Sequence, residues 1–412
     1  MKKLPTTVVV LGAVSFFNDI ASDMILPLLP IFLTATLGAG PAVLGLIEGV
    51  AEATASLLKL WAGRLGDAGV GHKRLALTGY SISNVVRPLI GFAGSWPTVL
   101  ALRFADRIGK GIRTAPRDAL LAAAVDASER GRAFGFHRSM DHAGAMVGPL
   151  IASVLLALGM GMQDVFLASV VPGALAVLLL AFGVRRDSVA ALPAIVALRS
   201  PLATPGILPL AALAHPCTAR WSALDARLRG LVLASGGLAL AAVPEVMLIL
   251  WLSQSGVSVA WVPLVWALAH GIRSLVASPA GRLSDRFGRL PVVLIGWLSR
   301  AVLLGCMPWV ADLASVITLF LMYAAVTAST EGAERALIGD VADPAAKGAA
   351  FGIYHMTVGL LALPGAIWFG VVWEMLGKET AFLVSAGLTL VMTAWLWRSA
   401  GDAQEPPTKN SG

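Results

Sequence analysis

Cysteine is nearly missing from this chain. Cys217 and Cys306 are the only two in 412 residues, too few and too far apart for a disulfide framework or a zinc site. The six histidines show no metal-ligand spacing, so no metal and no other cofactor is expected. Charge is scarce as well. Only 13% of residues are Asp, Glu, Lys or Arg, against roughly 25% in a soluble domain. No G-x-x-x-x-G-K-[ST] stretch occurs, which excludes a P-loop and with it an ATP-driven pump within this chain. A nucleophile–base set and a soluble output segment are also lacking, so an enzyme or a sensor is not expected.

What is abundant is apolar. Hydrophobic residues make up 57% of the chain, and the mean hydropathy is +0.79. A soluble fold of this composition would expose large adhesive patches, so the solvent for this surface is a lipid bilayer. A helix needs about 20 apolar residues to cross one. Twelve such runs can be read, near 7–34, 41–66, 74–95, 97–122, 131–158, 163–184, 229–253, 258–282, 290–310, 313–337, 348–372 and 379–399. The expected fold class is an all-α membrane protein with twelve spans. Trp251, Trp261 and Trp309, near span ends, read as an interfacial belt.

The net charge of +7 could suggest a polyanion partner, but the positions of the basic residues argue for topology. With the N-terminus placed in the cytoplasm, Lys378 is the only one of the 31 Lys and Arg to fall in an outer loop. The positive-inside rule then puts both termini in the cytoplasm. The location expected is a bacterial inner membrane, with no nucleic-acid partner and a monomeric chain.

The sequence also repeats itself. Gly63-Arg-Leu-Gly-Asp67 returns as Gly281-Arg-Leu-Ser-Asp285, and Val125-Asp126 with Gly131 and Ala133-Phe-Gly135 returns as Ala342-Asp343 with Gly348 and Ala350-Phe-Gly352. Both copies keep Asp, Arg and Gly at matched loop positions, which chance similarity between two greasy helices does not explain. Residues 1–184 and 229–399 are therefore expected to be two six-helix bundles, with 185–228 a cytoplasmic linker and 400–412 a tail. Pro193, Pro201, Pro205 and Pro209 argue against a thirteenth span in the linker, because each costs a helix interior about 3 kcal/mol. Duplicated halves around a central site are the architecture of secondary transporters.

The loop Gly63–Arg74 and, more closely, the loop Gly281-Arg-Leu-Ser-Asp285-Arg286-Phe-Gly-Arg289 resemble the G-x-L-x-D-R-x-G-R signature of the major facilitator superfamily. Arg103 with Gly109 and Gly111 resembles that superfamily's span-4 signature. Gly144-Ala-Met-Val-Gly148-Pro149, with Ser153 where the pattern ends in glycine, resembles an element of its antiporter branch. Thr330–Leu337 is similar to bacterial permeases of unsettled substrate. The resemblance covers the whole chain. It implies two pseudo-symmetric six-helix bundles, a cavity lined by spans 1, 4, 7 and 10, and no enzymatic activity. Gly63, Asp67, Arg138, Asp141, Gly281, Asp285, Arg286 and Arg289 are then candidates for a cytoplasmic gate. Gly144, Gly148 and Pro149 are candidates for close helix packing.

Charges inside spans carry the rest. Each costs at least ~2.5–3.5 kcal/mol at mid-membrane, so each should border a wet cavity or a partner. Asp19 and Asp23 on span 1, and Glu48 and Glu52 on span 2, are spaced one turn apart. Like charges so placed repel, and burial disfavours ionisation, so one acid of a pair can hold a proton near neutral pH. These four are the candidate proton-coupling residues. Asn18, Arg87, Arg103, Asp106, Arg107, Glu245 and Glu331 are the candidate substrate contacts. The competing reading for any one acid is a purely structural pair with Arg87, Arg103 or Arg107. His142, His270 and His355 read as satisfied polar groups. The function expected is secondary transport of a small polar or zwitterionic organic molecule, drug or metabolite, coupled to protons, with efflux by antiport favoured. The alternative is uptake by proton symport of an anionic metabolite or a metal chelate such as a siderophore, clamped by Arg87, Arg103 and Arg107.

Overall fold

The computed structural model describes residues 4–67, 71–125, 130–184, 225–341 and 347–401. These form helices throughout, joined by short turns. In a bilayer every backbone group must find a partner inside its own segment, which leaves helices as the solution for a chain of this composition.

Twelve spans result among the described residues. Span 1 is Thr6–Asp23 continued by Leu29–Ile31 and a π-helical turn, Phe32–Thr36; span 2 is Pro41–Asp67. Span 3 is His72–Leu89 with Ile90–Phe92, span 4 Trp96–Ala123, span 5 Arg130–Ala157, and span 6 Met162–Ala168 with Val170–Gly183. Span 7 is Ala226–Ala241 with Glu245–Gln254, span 8 Val262–Phe287, and span 9 Arg289–Cys306 with Met307–Trp309. Span 10 is Leu313–Val341, span 11 Lys347–Leu376 and span 12 Lys378–Gly401. Among the described residues, 8 helices are long and apolar enough to cross a membrane on composition alone. The four that fall short are spans 1, 3, 4 and 8, the ones interrupted by Asp19, Arg87, Arg103–Lys110 and Arg273.

Local chemistry sets the turns. Spans 8 and 9 are separated by Gly288 alone, at φ 93°, a conformation that a side chain would strain. Asp312 caps span 10 by accepting the Ser315 N–H at 2.9 Å, and that bond holds its carboxyl below the usual range. Spans 1 and 7 both break in mid-course, at Met24–Leu28 and at Ala242–Pro244. Pro27 and Pro244 lie in those breaks, where a missing N–H interrupts the ladder.

The packing is itself duplicated. Span 1 lies on spans 5 and 6, and span 4 on spans 2 and 3; span 7 lies on spans 11 and 12, and span 10 on spans 8 and 9. The halves meet where span 2 packs on span 11 and span 5 on span 8. A Cβ on Gly45 would strike the Ala366 carbonyl, and one on Gly49 would lie 2.9 Å from Leu363, so small residues set this approach. Gly144 and Gly148 do the same within the first half. A Cβ on Gly144 would meet the Phe16 carbonyl and stand 3.0 Å from the Asp19 Cβ, and one on Gly148 would stand 2.6 Å from the Ile20 carbonyl.

The cores divide unequally across the membrane. On the side away from the termini one cluster joins both halves, with Met24, Leu28 and Phe32 beside Met247, Trp251, Trp266, Phe320 and Phe369. On the terminal side there are two clusters. One holds Val8, Leu11, Tyr80 and Leu121 of the first half, the other Val232, Trp297, Ile338 and Tyr354 of the second. The far side is therefore closed and the two halves part toward the terminal side. Trp251 belongs to the far-side core at 1% exposure, edge-on to Phe382 at 6.0 Å, which corrects its reading as a belt residue. Trp261 and Trp309 are exposed. Residues 185–224 of the expected linker, 402–412 of the expected tail, and Ala68–Val70, Asp126 and Ala342–Ala346 of the repeat and signature loops lie outside the described residues.

Candidate functional site

Spans 1 to 4 carry the ionisable groups of the first half toward mid-membrane, and spans 7 to 10 those of the second. Arg87 donates from Nε to Asp106 at 2.9 Å, and from Nη1 to the Asn18 backbone oxygen at 3.2 Å and its Oδ1 at 3.1 Å. Asn84 also donates to Asn18 Oδ1, at 3.3 Å. Arg87 is 4% exposed and Asp106 1%. A buried pair is tolerated when its remaining donors and acceptors are filled, and Asn18 and Asn84 fill them here. In this conformation Asn18, Arg87 and Asp106 thus face one another across spans 1, 3 and 4.

Glu48 is also partnered, by Arg103 at 3.0 Å and Arg107 at 4.0 Å. Those two expected substrate arginines are therefore neutralised within their own half. Glu52, one turn further along span 2, is half-buried and has no ion pair among the described residues.

Asp19 and Asp23 share with Glu52 the lack of an ion pair. No cation lies within ion-pair distance of either among the described residues. Asp19 accepts from the Asn18 side chain at 2.8 Å. Asp23 accepts from Trp266 Nε1 of span 8 at 3.4 Å, a bond that crosses from one half to the other. Gly144, pressed against the Asp19 Cβ, fixes the height of that carboxyl on span 1.

In the second half Glu245 opens the lower turn of span 7 after Pro244 and pairs with Arg273 of span 8 at 2.7 Å. Both side chains are partly open, at 46% and 21% exposure. The Arg273 guanidinium also lies 5.8 Å from the Trp266 ring, and His270 lies against the same ring at 5.0 Å, tilted by 60°. Arg300 of span 9 lies 5.6 Å above the Tyr323 ring. Glu331 stands nearer the terminal side, exposed and paired with Arg335 at 3.6 Å. A separate cavity of about 170 Å³ at the terminal end of this bundle, lined by Arg227, Leu231, Leu337 and Ser399 among others, contains none of these groups.

The expected gate residues pair inside their own halves. Asp141 takes the Ser15 hydroxyl, His137 Nδ1 at 3.5 Å and Arg138 at 4.0 Å. Arg289 meets Asp285 at 3.9 Å and Asp340 at 2.6 Å, while Arg286 lies over Phe287. A Cβ on Gly281 would enter open space. The side chains of Gly63–Asp67 lie outside the described residues.

A family model described as Major Facilitator Superfamily matches residues 11–277 and 231–412. The chain belongs to that superfamily. Its relatives include an uncharacterized MFS-type transporter of Methanocaldococcus jannaschii, 28% identical and matched over 95% of this chain and 94% of the other. An uncharacterized protein of Mycobacterium tuberculosis strain H37Rv is 29% identical over 89% and 87%. Among solved structures, a point mutant of the nucleoside transporter NupG superposes with a TM-score of 0.79 at 14% identity, covering 95% of this chain and 99% of that one. A bacterial homologue of the human lysosomal transporter Spinster, inward-facing and unoccupied, gives 0.73 at 14% identity over 98% and 100%. At such identity the likeness establishes the fold alone. As a major facilitator, the chain is a multi-pass secondary transporter of small molecules and not an enzyme.

Sequence reasoning gave no role to Trp266, Tyr323, Ser15, Asp340 or Glu374, and left Arg273 and Arg300 unassigned. A tryptophan in an apolar run carries no mark that its indole N–H crosses to Asp23. Arg273 and Arg300 did carry a signal, a cation placed in mid-span, but their partners lie on other helices.

Proposed function

We propose that this major facilitator expels a small zwitterionic or polar organic molecule from the cytoplasm in exchange for protons, with Asp19 and Asp23 carrying the coupling proton. The observation that supports this most is the pair of carboxylates on span 1 without an ion-pair partner, of which Asp23 accepts from Trp266 of the other half. A carboxyl held by an arginine stays ionised and carries no proton; one without such a partner can load and release H⁺ as the side it sees changes. Asp23 has a second property. Its acceptor bond to Trp266 spans the halves, so its protonation and the closure of the far side share one bond.

The terminal side is the cytoplasm of a bacterial inner membrane in this reading, and the conformation is inward-facing. Glu52 belongs with the proton-accessible acids. Glu48 serves to hold Arg103 and Arg107. The driving force suffices: about 150 mV acting on one proton supplies ~3.5 kcal/mol, enough for a gradient of a few hundred-fold. The Gly144–Pro149 element favours export over uptake.

Reconstituted vesicles with an imposed pH difference test the reading. Substrate leaving as protons enter supports antiport, and co-entry of the two rejects it in favour of symport. Asp19→Asn, folded and inserted normally, is expected to lose uphill transport while keeping downhill exchange. Full uphill transport by that variant removes Asp19 from the coupling.

A further inference from the structure

The halves meet along two seams, span 2 on span 11 and span 5 on span 8, and the internal repeat pairs one seam with the other. The register that carries Gly131 onto Gly348 also carries Ser153 onto Gly370, and the register that carries Gly63 onto Gly281 carries Ala42 onto Ala260. The matched residues meet at matched points. On the first seam a Cβ at Gly370 would strike the Pro41 carbonyl and lie 3.0 Å from the Ala42 Cα, so the helices touch there backbone to backbone. On the second seam Ser153 takes the place of that glycine, and its hydroxyl donates to the Ala260 carbonyl at 2.7 Å.

Such a bond is not the usual one for a serine inside a helix. Ser139 of the same span, and Ser299, Thr318 and Thr393 elsewhere, turn the hydroxyl back onto the carbonyl four residues earlier, a local acceptor always within reach. Ser153 forgoes that acceptor and reaches into the other half. It does so at the edge of the far-side core, which holds Ala152 and against which Leu155 and Val259 pack. In so apolar a setting the bond is strong while made, and water can replace it only when the seam opens. The first seam has its own bond to the same unit, because Glu374 accepts the Ala42 N–H at 2.9 Å. One alanine and its repeat copy are thus each held from the opposite half, the first by its N–H and the second by its C=O.

We propose that Ser153 is a closing residue of the transport cycle: its hydroxyl, bound to the Ala260 carbonyl across the halves, biases the chain toward a closed far side and lets go each time that side opens. The inference goes beyond the coupling reading above and needs neither proton nor substrate. It also gives a task to the serine that stands where the antiporter element ends in glycine. A glycine at that place could bring the helices together but would hold nothing. One neutral hydrogen bond displaces a two-state equilibrium by roughly three- to tenfold.

Spin labels test this without any ligand. Thr98 and Leu313 are exposed near the far-side starts of spans 4 and 10. Labelled Thr98→Cys with Leu313→Cys, in a full-length chain carrying Cys217→Ser and Cys306→Ser, reports far-side opening as a distance distribution by pulsed electron spin resonance in lipid nanodiscs. With Ser153 present, the shorter, closed distance is expected to dominate. Ser153→Ala removes one oxygen and adds no bulk, and is expected to raise the longer-distance population roughly three- to tenfold. Ser139→Ala, which removes a hydroxyl bonded within its own helix, is expected to leave the distribution as it was. An unchanged distribution in Ser153→Ala overturns the proposal, and so does equal opening by Ser139→Ala. If Ser153→Ala fails to insert, Ser153→Gly carries the same test, because glycine already occupies the matched point on the other seam. Proton exchange in vesicles is a separate measurement. Its absence removes Asp19 and Asp23 from coupling and leaves the role of Ser153 standing.

Discussion

At the scale of single residues, burial sorts the span arginines into two kinds. Arg87 is enclosed with Asp106, Asn18 and Asn84, so removing its charge leaves the buried Asp106 carboxylate with only Arg103, at 3.8 Å. Breaking such a pair typically costs 3–5 kcal/mol, whereas removing both charges together is often close to neutral. Arg87→Gln is thus expected to lower the thermal midpoint sharply, and Arg87→Gln with Asp106→Asn to recover most of the loss. Unfolding of the two variants in detergent measures this; equal destabilisation by single and double variants refutes the bracing role. Arg300 and Arg87 look alike in the sequence, each a lone cation in an apolar run. What separates them is whether a carboxylate arrives from a helix far along the chain. Asp106 is 19 residues from Arg87, and Glu48 is 55 from Arg103. The residue types of the site were therefore legible, but their pairing was not.

At the scale of elements, composition carried far. Each apolar run is a span, and starts and stops fall within a few residues because Gly, Pro and charge end helices for local reasons. The largest differences are at span 8, which begins at Val262 and runs on to Phe287, beyond the apolar stretch that marks it. The breaks in spans 1 and 7 were not legible, since a proline in a membrane helix is compatible with either a kink or an interruption. Close packing supplies a second prediction. Gly148 presses on Ile20 and Met24 within one bundle, while Gly49 presses on Leu363 across the halves. Gly148→Val must push apart helices that never separate, so it is expected to lower stability by ~1–3 kcal/mol, the cost of overpacking. Gly49→Val strains only the closed far side, so it is expected to shift the chain toward the outward-open state. Thermal unfolding and far-side labelling of an introduced cysteine together read the difference. A large stability loss from Gly49→Val without new labelling contradicts it.

At the scale of the whole molecule, one apolar core on the far side and two on the terminal side mean that the halves are hinged shut at one end. A polar fastening accompanies that closure. Glu374, on span 11, accepts the Ala42 N–H at the start of span 2 at 2.9 Å, placing a carboxylate on the positive end of a helix in the other half. Glu374→Ala is expected to loosen the far side and raise far-side labelling several-fold with little change in thermal midpoint, and unchanged labelling would deny it a latching part. The same contact gives a direct test of alternating access. A Cβ placed on Gly370 would lie 3.0 Å from the Ala42 Cα and 2.4 Å from the Pro41 carbonyl oxygen, so cysteines at 42 and 370 come within disulfide reach once spans 2 and 11 ease slightly apart. With Cys217 and Cys306 replaced, Ala42→Cys with Gly370→Cys should cross-link under oxidation and hold the far side closed. Transport across vesicles is then expected to stop, while ligand still binds from the open terminal side, and reductant is expected to restore movement. Unimpaired transport by the cross-linked protein would show that the far side need not open, and rocking of the two halves would no longer explain how a substrate crosses.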